Sequence, residues 1–203
     1  MTIIHSDRFT EASATALESH APNIGSGYTK TFGPTQNVGA GTGEVAFVTS
    51  ESVYQTNTAS TSADGYVEAV MAGASFAVIY FRDQGAGALG ECYCWRIFPS
   101  YSELVHRSAG GSFTNIGATD STPLISMSVS AQTFKVTYTG SSFDFYLNGV
   151  LQYSRTDSTL SAAGRVSIDA NAGVSLLDLI VDGGAPAGPV ITGRSLLLGV
   201  GRN

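Results

Sequence analysis

Sixteen carboxylates and three histidines set the acid–base chemistry open to this chain of 203 residues. Cleaving a glycosidic bond with retention needs two carboxyl groups about 5 to 5.5 Å apart, one as acid and one as nucleophile. Glu11, Glu18, Glu44, Glu51, Glu68, Glu91 and Glu103 all lack a second carboxylate at i+2, where one strand would place it on the same face. Glu68 stands alone in Gly65-Tyr66-Val67-Glu68-Ala69-Val70. Asp178 and Asp182 are separated by about 13 Å of extended chain, too far to act together. A pair assembled from separate strands stays open. His5, His20 and His106 are dispersed, with no nucleophile elbow, phosphate loop or zinc-protease helix beside them. Each reads as a surface or locally bonded residue. Cys92 and Cys94 share one face of a strand and read as buried free thiols, since no other cysteine exists to complete a metal cage.

Flat aromatic faces with a polar rim can hold the apolar face of a sugar, and Tyr54, Tyr93, Trp95 and Tyr101 are the candidates for that work. Trp95 shares a strand face with Tyr93 and Ile97, so a core tryptophan competes with a sugar platform. The elements that must position these groups are short strands. Hydrophobic residues make up 43% and charged residues 13%, with Gly, Ser, Thr and Ala filling much of the rest, which suits strands joined by tight turns. Phe143 to Tyr153 predicts a hairpin turning at Asn148-Gly149, where both positions need φ > 0. Phe134, Val136 and Tyr138 alternate with Thr and Lys, and Phe143, Phe145 and Leu147 continue that inward face. Phe76 to Phe81 is apolar on both faces and predicts a central strand, with Phe76, Val78 and Tyr80 internal. Residues 11 to 34 read as a long wrapping connection, with a helical turn over 14 to 20. The formal net charge of −6 leaves no basic stripe for nucleic acid. No apolar run approaches the ~20 residues that span a bilayer, and Met1 to Asp7 does not resemble a secretory signal. No membrane partner is expected.

In sequence order, several pieces resemble the concanavalin A-like and laminin G-like jelly rolls. Asp7-Arg8-Phe9 is similar to the opening D-x-F of phage and bacterial modules of that kind, and Ile79 to Asp83 with Tyr93 and Trp95 resembles their next strand pair. The Asn148-Gly149 hairpin and Leu176 to Val181 complete the match over about residues 3 to 182. The resemblance implies an all-β, antiparallel two-sheet β-sandwich over 1–182, followed by a Pro/Gly linker and an apolar arm over 183–203. It also implies that first and last strands are neighbours, so Asp7 and Asp178 could hold a calcium ion with backbone carbonyls. The competing reading makes Asp7 a strand-edge residue and pairs Asp178 with Arg8. No other cofactor is expected.

The family holds glycosidases, lectins, carbohydrate-binding modules and purely structural modules. Without a carboxylate run on one strand, the sequence reading is a non-enzymatic virion protein of a tailed phage, made without Sec export, oligomeric and bound to other virion proteins. A carbohydrate-binding or lectin-like receptor binder, with a surface glycan as partner, is the alternative, and a glycoside hydrolase or lyase comes third. The arm carries Ile191, Leu196, Leu197, Leu198 and Val200, with Arg194 and Arg202 as charged anchors. It is expected either to dock on a partner or to add an edge strand to its own sandwich.

Overall fold

The computed structural model describes residues 2–48, 50–117 and 126–184. These residues form two antiparallel sheets. In chain order the strands are β1 (Ile3–Asp7), β2 (Thr15–Ala16), β3 (Tyr28–Phe32), β4 (Asn37–Val38), β5 (Val45–Phe47), β6 (Ser52–Thr56), β7 (Gly65–Gly73) and β8 (Ala77–Asp83). They continue with β9 (Cys92–Ile97), β10 (Ser102–Arg107), β11 (Phe113–Asn115), β12 (Gln132–Thr139), β13 (Ser142–Leu147), β14 (Val150–Thr156), β15 (Arg165–Ala170) and β16 (Val174–Asp182). One sheet runs β14-β13-β12-β7-β16-β5-β4-β2, with β1 also on β16, and the other runs β11-β10-β9-β8-β15-β6-β3. β16 serves two partners along one edge, β5 at residues 174 to 176 and β1 at 179 to 182. First and last strands are therefore neighbours.

The main core fills the space between the sheets. Val67, Ala69, Met71, Phe134, Val136, Tyr138, Phe143 and Phe145 meet Ile79, Phe81, Tyr93, Trp95, Leu104 and Ile168 there. The Phe134 and Phe143 faces point inward as their alternation predicts, and Leu147 packs at the margin. The hairpin turns at Asn148 (φ 50) and Gly149 (φ 80), both in the left-handed region that a two-residue connection between twisted strands requires.

Two expectations need correction. β8 is central and buried along its whole length, but Ala77, Ile79 and Phe81 face the main core. Val78 and Tyr80 lie on the opposite face, in a second apolar cluster with Val53, Cys92, Cys94 and Val105, and half-buried Phe76 packs against it. A run apolar on both sides carries no phase information, which is why alternation misassigned it. The stretch from 11 to 34 is also more than a connection. It holds β2, a 3-10 turn at Leu17–Ser19 and the whole of β3, the edge strand of the seven-stranded sheet.

A bulge in β8 sets the position of Arg82. Ser167 pairs with Tyr80 and Arg165 with Asp83, so β8 spends one more residue than β15 over this stretch. Arg82 takes φ 52 there and turns inward, instead of following Val78 and Tyr80 outward. Gly164 allows the close approach, because a Cβ on it would lie 2.5 Å from the Arg82 carbonyl carbon. The guanidinium, 2% exposed, donates to the carbonyls of Ala63 (2.9 Å), Leu160 (2.8 Å) and Gly140 (2.6 Å). It also lies 5.4 Å from the ring centroids of Tyr138 and Phe143. One side chain thus ties three loops to the core. Arg82→Met is expected to cost about 3–5 kcal/mol, since three carbonyls lose a charged donor in a dry site. Urea unfolding of both proteins measures this, and a loss under about 1 kcal/mol would contradict the clamp.

Candidate functional site

The outer face of the seven-stranded sheet is where chemistry-bearing side chains converge. Register aligns Val53, Asp169, Val78, Arg96 and Glu103 in one row across β6, β15, β8, β9 and β10. The adjoining row on that face is Gln55, Ser167, Tyr80, Cys94 and Val105. Above them lies a groove of about 420 Å³ lined by Thr31, Phe32, Glu51, Val53, Tyr80, Ala88, Leu89, Arg107, Gly111 and Phe113. Phe32 and Phe113 are 59% and 52% exposed, so their rings form apolar walls open to solvent. Arg96 lies over Phe113 at 5.6 Å and over Phe98 at 5.3 Å, and bonds Glu103 at 2.8 Å.

Asp83 builds one side of the groove. Its Oδ1 accepts from the amides of Gly85 and Gly90, and its Oδ2 from Gln55 Nε2 (2.7 Å) and Ser167 Oγ (3.0 Å). The loop from 84 to 90 is thereby closed on itself, so tightly that a Cβ on Gly85 would fall 1.8 Å from the Ala88 carbonyl oxygen. Arg107 fastens the same loop by donating to the carbonyls of Leu89 and Gly90. Leu89 then covers the second apolar cluster, where Cys92 and Cys94 lie buried and unlinked, their sulfurs 3.8 Å apart.

Beneath Tyr80 lies Asp169, 1% exposed. Its Oδ2 accepts from the Tyr80 hydroxyl at 3.2 Å, while its Oδ1 is buried without a donor. Burial first, then the adjoining Glu51 carboxylate, push its carboxyl up to about 8, against the pull of Tyr80 and Arg96. Glu51, the residue just before β6, and Asp169 of β15 are a carboxyl pair that the fold brings together from distant parts of the chain. No spacing in the sequence could reveal it, because it depends on the register of β15 against β6.

The aromatic candidates divide. Tyr54, Tyr93 and Trp95 are at most 2% exposed and belong to the main core, so none presents a face to a sugar. Alternation put Tyr93 and Trp95 on one face correctly, and that face is the inward one. Tyr93 bonds Asp157 at 2.7 Å and Tyr54 bonds the Gln36 amide at 2.6 Å, inside the structure. Tyr101 is half-buried and stacks on Phe98 at 4.3 Å, outside the groove lining. Phe32 and Phe113, which replace them, stand alone among Gly, Ser and Thr, a context that marks a surface aromatic.

Asp7 is fully engaged elsewhere. Its Oδ1 accepts from the Phe9 amide and His20 Nε2, and its Oδ2 from the Tyr28 hydroxyl. His20 Nδ1 reaches Glu11 at 2.6 Å, and His5 Nε2 meets the Tyr28 hydroxyl at 2.8 Å. Asp178 adjoins Leu179, the register partner of Asp7, so alternation turns the two carboxylates to opposite faces. The calcium reading fails on both counts. Arg8 attracts Asp178, as the competing reading has it, although burial still raises that carboxyl. Among the described residues no group of three or more His, Cys, Asp or Glu could hold a metal ion. Ile191, Arg194, Leu196, Leu197, Leu198, Val200 and Arg202 of the arm lie outside the described residues.

A second surface groove, about 630 Å³, lies on the nine-stranded sheet among Glu68, Thr133, Lys135, Thr137, Tyr146, Asn148 and Gly149. Its polar groups are already matched to one another. Lys135 pairs with Glu68 at 3.3 Å and lies 3.9 Å from the Tyr66 ring centroid, and Asn148 accepts from the Thr133 amide. Glu68 has no carboxylate partner there, and no lining atom is a buried polar group awaiting a ligand. The groove over Asp169 is the better candidate, despite its smaller volume.

No protein-family model matches the chain, and no curated protein matches it. Solved structures match its fold. The carbohydrate-binding module CBM66 from Bacillus subtilis aligns over 81% of this chain and 91% of its own, at 15% identity and a TM-score of 0.52. The LamAcat structure from Zobellia galactanivorans aligns over 89% and 97%, at 11% identity and 0.60. The carbohydrate recognition domain of Emp46p aligns over 78% and 88%, at 8% identity and 0.57. The chain shares with them the fold of an antiparallel two-sheet jelly-roll sandwich.

The buried polar chain around Asp7 generates a test of pH dependence. Tyr28 gives its proton to Asp7, so His5 must donate through Nε2, leaving Nδ1 as the bare buried nitrogen. Burial lowers His5 from 6.5 to about 4, so neutral His5 is the folded form and stability falls as pH drops from 6.5 toward 4. His20, raised by Asp7 and Glu11 against its burial, works in the opposite sense and loses its contribution as pH rises through its elevated value. His5→Gln keeps a donor for Tyr28 and cannot titrate. It is expected to remove ~3 kcal/mol of acid-side loss, read as a flatter melting temperature between pH 4 and 6.5. An unchanged acid limb would contradict the assignment.

Proposed function

We propose that this protein is a carbohydrate-binding, lectin-like module that takes an oligosaccharide in the groove between Phe32 and Phe113. One observation carries the reading. Two exposed aromatic walls flank a floor that offers a carboxylate, Glu51, and the Tyr80 ring, beside Arg107, whose guanidinium is bonded to the loop carbonyls of Leu89 and Gly90. Aromatic faces pack on the C–H face of a sugar while charged groups beside them take its hydroxyls, and few polar groups in a largely apolar cleft are what fix orientation. The fold supports this reading, since sugar-binding modules are built on it. The virion role drawn from the sequence has no counterpart among those structures and yields to the binding reading. A place in a virion stays a proposal, tested by mass spectrometry of purified particles.

Glycoside hydrolysis is the second reading, because Glu51 and Asp169 supply two carboxyls. Their geometry favours binding instead. Asp169 is sealed under Tyr80 and lines no part of the groove, so it has no access to a glycosidic oxygen held there.

A glycan array probed with the purified protein tests the function. Phe32→Ala and Phe113→Ala are each expected to weaken the retained oligosaccharide about tenfold, ~1.4 kcal/mol, with melting temperature unchanged. No array signal would sink the binding reading. Release of reducing ends, lost in Glu51→Gln, would promote the hydrolase.

A further inference from the structure

We propose that Glu51 and Asp169 share a single proton and that this proton holds the groove floor in its binding form. The inference deepens the binding reading and rests on it for its functional consequence. Asp169 Oδ1 has neither an N–H nor a protein O–H donor within reach, yet it is fully buried. Glu51 lies two residues before Val53, the register partner of Asp169, so its side chain is a diagonal neighbour on the same face of the sheet, and two adjoining carboxylates are stable only when one carries a proton and donates it. Asp169 is the member that holds it, being buried, while Glu51 is exposed at the groove.

The groups around the pair agree with that assignment. From β8, Tyr80 donates to Asp169 Oδ2, leaving Oδ1 to carry the proton. From β9, Arg96 pulls toward ionisation, but its guanidinium is bonded to Glu103 of β10 and divided between two charges. Arg107, at the end of β10, is spent on the loop carbonyls of Leu89 and Gly90. β6 brings Val53 and β3 brings Thr31 and Phe32, none of them charged. No cation is left to accept a second negative charge at this point among the described residues. Loss of the proton therefore sets two like charges against each other, and Glu51, the exposed member, is driven out of the groove. Asp169 is a positioning residue that acts through Glu51.

Carbon-detected NMR of the side-chain carboxyls in the unliganded protein reads the pair directly, from about pH 5 to about pH 10. Asp169→Asn keeps an acceptor for Tyr80 and an N–H donor for Glu51, and the signal it removes identifies Asp169. That signal is expected to titrate near the alkaline value given above, and to move to lower pH in Glu51→Gln. An Asp169 carboxyl already ionised at about pH 6 would overturn the proposal. Binding of the strongest array oligosaccharide is expected to fall about tenfold above the titration midpoint in the wild type and to stay level in Asp169→Asn. Equal pH profiles in the two proteins would overturn the link to the groove. The carboxyl titration needs no sugar, so a protein that titrates as stated but retains no glycan loses the binding reading and keeps the proton pair.

Discussion

Arg82 is the constraint on which the arrangement depends. A guanidinium buried between two sheets must have its donors met and its charge balanced, and this one reaches three backbone carbonyls from three different loops. Two of those loops follow β6 and β14, and the third is the tight turn between β12 and β13. Asp64, which accepts from the Gly140 amide, lies 4.0 Å away as the nearest carboxylate. The loops at one end of the sandwich are therefore ordered by a single side chain instead of by packing alone. The bulge that turns Arg82 inward also ends the regular pleat of β8, and the next residue, Asp83, begins the glycine-rich loop. Core clamp and groove wall are consecutive residues of one strand.

That adjacency explains how the outer face of the seven-stranded sheet can be both buried and available. A central strand apolar on both sides needs cover on both. The facing sheet covers one side of β8, and the loop from 84 to 90 with Leu89 covers part of the other. The loop is short and closed by Asp83, so it stops before the Glu51 end of the face, and the uncovered remainder is the groove. Polar residues inside that face, Gln55, Ser167, Asp83 and Asp169, are all buried. Three of them satisfy one another, and the fourth is completed only by sharing a proton with Glu51.

Much of the fold was legible because its signals are local. Alternation over Phe134 to Tyr138 and the Asn148-Gly149 turn depend on neighbours in sequence, and both appear as read. β3 was not legible, since Tyr28 to Phe32 is short, polar and bounded by glycines, and it becomes a strand only through β6. The site was mostly hidden for a related reason. Tyr93 and Trp95 have the side chains a sugar platform uses, but which face of a strand looks inward is decided by the sheet that packs on it. Asp169 lies in an ordinary-looking Ser-Ile-Asp-Ala strand, and its partner Glu51 is more than a hundred positions away. Only register across β6 and β15 brings them together.

The central claim is that the groove between Phe32 and Phe113 is where this sandwich meets its ligand. Amide and side-chain chemical-shift mapping of the labelled protein, titrated with an array-selected oligosaccharide, tests it most directly. The largest changes are expected at Thr31, Phe32, Glu51, Tyr80, Arg107 and Phe113, in one contiguous patch. Changes centred on Glu68, Lys135 and Tyr146 of the opposite sheet would contradict it.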